Sequence, residues 1–155
     1  MADSTQDRMK IGRRALTAAP NMAARAQAFH AWMIKAADTV QPKHVTTVVE
    51  GDRVVALLTP VGRFELAEEL SRVGDELFTR VVFFRAATAL RETPEEIYTV
   101  RVLADGAAHF GSTEIDHFEL DDYQDDWLPR NMIRLAYELA WAATAERSPA
   151  GKMGA

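Results

Sequence analysis

From Asn21 the apolar positions Met22, Ala26, Phe29, Met33, Ala37 and Val40 recur at steps of four, three, four, four and three, which puts them on one face of an α-helix. Asn21 is a suitable cap for its start, and Pro42 disfavours helical geometry in Gln41, so the pattern predicts a helix over about 21–41. HVTTVVEGDRVVALLTP then changes period. Its β-branched runs flank Glu50-Gly51-Asp52-Arg53, which predicts a hairpin pairing 44–50 with 53–59. Beyond Pro60 and Gly62, Leu66, Leu70, Val73 and Leu77 step by four, three and four, with Glu65, Glu68 and Glu69 in the first turns where a helix dipole favours acids; this predicts a second helix.

The segment VVFFRAATALRE extends that stripe through Val81, Phe84 and Thr88, yet Val81–Phe84 is a dense β-prone run. Tyr98, Val100 and Val102 alternate in the stretch after it. The expectation is a strand pair, with a turn of helix permitted at Thr93-Pro94. AAHFGSTEIDHFELDD offers one more strand, anchored by Phe118 and Leu120. In WLPRNMIRLAYELAWAATAERS, Leu128, Met132, Leu135, Leu139 and Ala142 form the inward stripe of a third helix, and Asp125 and Asp126 stand where acids cap a helix start.

The expected fold is therefore α+β: a mainly antiparallel sheet of four to five strands packed with three helices, in the order α-ββ-α-ββ(β)-α. Residues 1–19 lack a sustained apolar period and read as a flexible basic arm, 20–147 as one domain, and 148–155 as a flexible tail. In element order and acidity the chain resembles small secretion chaperones and related adaptor domains. That resemblance covers the middle and end of the chain, rests on no motif and assigns no site residue.

Charge sharpens this picture. The net −5 divides unevenly, because residues 1–35 carry six basic and two acidic groups and the remainder carries −9. An acidic body repels a phosphate backbone, so nucleic-acid binding through the arm at 8–14 (Arg8, Lys10, Arg13, Arg14) is a minor alternative. With no cysteine, disulfides, thiolate metal sites and thiol nucleophiles are excluded. The twin arginines Arg13 and Arg14 are not followed by an uninterrupted apolar core of signal-peptide length, and no stretch approaches a membrane span; the reading expects a cytoplasmic protein. Fourteen arginines against four lysines, with 26 alanines, fit a GC-rich bacterial origin.

The candidate chemistry lies near the end of the chain. EIDHFELDDYQDDW holds seven carboxylates and no Lys or Arg. Glu114, Asp116, Glu119, Asp121 and Asp122 are left after the helix start is accounted for, and they predict docking of a basic partner. A small metal-dependent or acid/base hydrolase would instead use His109, Asp116 and His117, although their spacing matches no established ligand motif. GxSxG, SxxK, GxxxxGK and GxGxxG are all absent, so no catalytic, cofactor or metal residue is assigned. The last helix also carries Ile133, Tyr137, Trp141 and Thr144 on its far side, with Arg130 above them. Helices covered on one side keep that face polar, so either this helix is sandwiched between the sheet and the first helix or, since Tyr, Trp and Arg anchor interfaces, it self-associates as a dimer there. His30 is read as flanking the first stripe, and Trp32 as a candidate extension of the aromatic surface.

Overall fold

The computed structural model describes residues 4–40, 43–110, 117–120 and 127–144, with side chains except at 117–119 and 127. Helix α1 runs from Thr5 to Ala37, a long antiparallel meander of β1 to β7 follows, and helix α2 (Trp127–Ala143) closes the fold. The protein is α+β, as its patterning indicated, but the described residues hold seven strands and two helices rather than four to five strands and three helices.

The start of α1 departs from expectation by sixteen residues. Ser4 caps it through a reciprocal box: the Asp7 N–H donates to Ser4 Oγ (3.1 Å) and the Ser4 N–H to the Asp7 carboxylate (3.4 Å). Pro20, taken as the end of a frayed arm, lies inside the helix. It removes one backbone bond, to the Leu16 carbonyl, but both residues face solvent, where water serves that carbonyl, and the alanine-rich flanks favour helix. Residues 5–19 are thus the first half of α1, mostly exposed, and the buried stripe begins at Met22.

The hairpin forms as read: β1 (Thr46–Glu50) pairs with β2 (Arg53–Thr59), Glu50 opposite Arg53, with a bulge between Val48 and Val49. Gly51 turns it at φ +66°, a region an L side chain enters only at a cost. A Cβ there would meet nothing within 4 Å, so strain alone sets the penalty. Gly51→Ala is expected to lower stability by about 1 kcal/mol, read as a shift in urea midpoint at unchanged slope.

The helix expected over Leu66–Leu77 is not present. Gly62–Val73 is strand β3 and Glu76–Arg85 is β4, paired from Glu65↔Phe84 to Val73↔Glu76 across Gly74-Asp75. Leu66 and Leu70 are four apart, which satisfies a strand face as well as a helix face, and Phe64 and Glu68 complete the even-numbered strand face. The glutamates find strand partners instead of a helix dipole: Glu65 pairs with Arg63 (2.7 Å) and Glu69 with Arg80 (3.0 Å). Strand β5 (Glu95–Leu103) begins directly after Pro94, where a helical turn was allowed for. Strands β6 (Ala107–Phe110) and β7 (His117–Glu119) follow. Among the described residues the order is one helix, seven strands, one helix, which departs from the element order on which the likeness to secretion chaperones rested.

Register puts Val81 opposite Val100 and Val100 opposite Phe110 on the sheet face that meets both helices. There Phe29, Trp32, Met33, Phe64, Phe83 and Leu135 join one fully buried cluster, at roughly 1.5–3 kcal/mol per large apolar side chain. Trp32 belongs to this core, stacked on Phe29 at 5.6 Å between ring centres, and not to an outer aromatic surface. On the opposite face Arg80 bridges Glu69 and Glu96, beside Ala67 and the half-buried Val82. Among the described residues no helix is long and apolar enough to cross a membrane.

Candidate functional site

Helix α2 presents two different faces. Leu128, Met132, Leu135 and Leu139 are buried against α1 and β5, and Arg134 on the flank lies 5.2 Å over the Phe110 ring. Among the described residues no other element covers the far side. Arg130 and Thr144 are exposed, Ile133 is half-buried against the edge of the core, and Tyr137 and Trp141 are 63% and 74% exposed. Four residues apart, these two rings are neighbours one turn along the helix. Together they expose apolar surface on the order of 300 Å².

Of the acidic candidates, Glu114, Asp116, Asp121 and Asp122 lie outside the described residues, as do the expected caps Asp125 and Asp126. Glu119 stands in β7 opposite Ala107. For the alternative hydrolase site, His109 in β6 is buried and stands in register with His117 in β7, so these two positions share one sheet face; Asp116 lies outside the described residues. Among the described residues no group of three or more His, Asp or Glu side chains could hold a metal ion. No family model, curated protein or solved structure matches this chain.

The basic residues Arg8, Lys10, Arg13 and Arg14 are all exposed on the first half of α1. Arg14 also borders a recess with Asp75 and Glu76 at the β3–β4 turn, so part of this positive charge faces acids of the same chain.

His30 is the polar residue that pattern reading placed wrongly. It is 2% exposed, four residues after Ala26 and three before Met33, so it occupies the stripe itself. Its Nδ1 accepts the Val54 backbone N–H at 2.9 Å, which assigns the ring proton to Nε2, and Nε2 donates to Glu68 Oε1 at 2.7 Å. Arg53 contacts the same carboxylate oxygen. One imidazole thereby ties α1 to β2 and β3.

The hydrogen bond from His30 holds the Glu68 carboxyl below the ordinary carboxylate value against the opposing effect of burial, and the Arg53 charge adds to it. A carboxyl depressed in the folded state binds its proton more readily when unfolded. Its stabilisation is therefore present above the unfolded value near 4.5 and disappears as pH falls through the lower folded value. Urea midpoints measured from pH 7 to pH 3 are expected to drop on the acid side, and Glu68→Gln should flatten that drop. Parallel curves for the two proteins would show that Glu68 is not its source.

Proposed function

We propose that the protein is a non-catalytic protein-binding module that pairs with a second copy of itself through the outward face of α2 and meets a basic partner with its acidic 114–122 stretch. The exposed pair Tyr137 and Trp141 carries this reading, because two large aromatic rings on a helix whose other face is buried are costly to leave in water and are characteristic interface anchors. The stripe is self-complementary. With two α2 helices antiparallel about an axis between Leu135 and Ala136, Arg130 comes opposite Trp141 of the partner subunit, and two-fold symmetry repeats the contact. A guanidinium on an indole face stabilises such a pair by about 0.5–2 kcal/mol.

Glu114, Asp116, Glu119, Asp121 and Asp122 supply charge complementary to a basic partner, so the association rate should fall as salt screens them. Light scattering after size exclusion, on the wild type and on Trp141→Glu, tests the self-pairing directly. The expected change is from two chains to one.

A further inference from the structure

The β2–β3 turn and the β4–β5 connection meet at one end of the sheet around a recess of about 350 Å³. That is the lower end of the size range of small-ligand pockets. Three arginines line it, Arg63 from the start of β3, Arg85 from the end of β4 and Arg91 from the connection, together with the apolar Val61 and Ala86. The chain beyond residue 35 carries −9, so three arginines at one point run against the general field of the body.

Each guanidinium is held by the protein. Arg63 Nε donates to Glu65 (2.7 Å), Arg85 Nη2 to Glu95 (2.7 Å), and Arg91 Nη1 to the Ala86 carbonyl (2.9 Å), while Arg91 Nε lies 3.4 Å from Glu95. Two carboxylates against three guanidiniums leave the cluster one positive charge in excess. A guanidinium has five N–H donors in a planar fork, and these contacts engage only part of each fork. The Arg85 Nε is moreover buried with no acceptor among the described residues. That Nε is shielded from the recess, so the donors left to a ligand are the other N–H groups of the three forks.

We infer that this recess is a binding site for a compact anionic ligand bearing a phosphate or carboxylate group, gripped by Arg63, Arg85 and Arg91. Planar forks match both oxyanions in bidentate fashion, and the ion pairs to Glu65 and Glu95 preorganise the guanidiniums, so little side-chain entropy remains to be lost on binding. The site is independent of the α2 face, and nothing in its argument needs the protein to dimerise.

Titration of the full chain with inorganic phosphate, and separately with succinate, followed through the arginine Nε–H resonances at low ionic strength, tests the inference. Saturable shifts centred on Arg63, Arg85 and Arg91 are expected with at least one anion; phosphate alone would identify a phosphoryl ligand and succinate alone a carboxylate. Arg63→Ala, whose side chain is half exposed and whose loss should leave folding intact, is expected to weaken binding roughly tenfold. Arg85→Lys keeps the charge and loses the fork, and should weaken it comparably. Arg72→Ala, at the far end of β3, should change nothing. Absence of saturation with both anions, or equal loss in Arg72→Ala and Arg63→Ala, would overturn the site.

Discussion

Trp141→Glu is expected to convert a particle of two chains into a monomer of 17.2 kDa whose circular dichroism is unchanged. The prediction is sharp because the two consequences separate. Trp141 is 74% exposed in the single chain, so a charge at that position costs the fold almost nothing. In a paired arrangement the same carboxylate would be drawn into a desolvated contact, at a cost of several kcal/mol per copy. Since 1.4 kcal/mol is tenfold in affinity, dissociation at micromolar concentration follows. Tyr137→Glu should act alike, and Arg13→Glu, on the exposed half of α1, should leave the mass unaltered. Helix α2 spans about 25 Å. Standard interfaces bury about 1,200–2,000 Å², so neighbouring surface must contribute beside the helix stripe. A wild-type monomer, or a dimer that survives both α2 substitutions, would remove self-pairing from the proposed function.

His30→Ala is expected to be the most destabilising change at any polar residue considered, by at least about 3 kcal/mol. Two terms add. The Val54 N–H, buried between α1 and β2, is left without its acceptor, at about 1–3 kcal/mol. Removing a buried imidazole also opens a cavity beneath the helix, and truncations of comparable size cost about 2–5 kcal/mol. Glu68 retains Arg53, so its charge is not stranded. Urea denaturation at pH 7 should show a lower midpoint at similar slope, with Glu68→Gln falling between mutant and wild type. If His30→Ala and wild type unfold at the same midpoint, the imidazole bridge is not a tie between α1 and the sheet.

These two residues show where pattern reading reaches and where it stops. Tyr137 and Trp141 were legible because their spacing relative to Leu135 and Leu139 puts them on the opposite side of the same helix, a matter of local geometry alone. His30 sits on the buried stripe, but its residue type weighed against burial. The partners that make burial acceptable, Val54 and Glu68, stand 24 and 38 residues away. The Arg63, Arg85 and Arg91 cluster had no linear signal at all, because two strand ends and the β4–β5 connection bring it together.

The period of the chain by itself determined the α+β class, the hairpin about Gly51, the last helix with its two unlike faces, and the concentration of acid at 114–126. Each follows from neighbours within a few residues. Only tertiary structure decided that 62–73 is a strand, since a step of four satisfies either period and pairing with Glu76–Arg85 outweighs helix propensity. Tertiary structure likewise extended α1 back to Thr5, buried Trp32 and left Trp141 in the open. Exposure depends on what lies across from a residue, and the seven-stranded sheet covers one face of α2 and not the other.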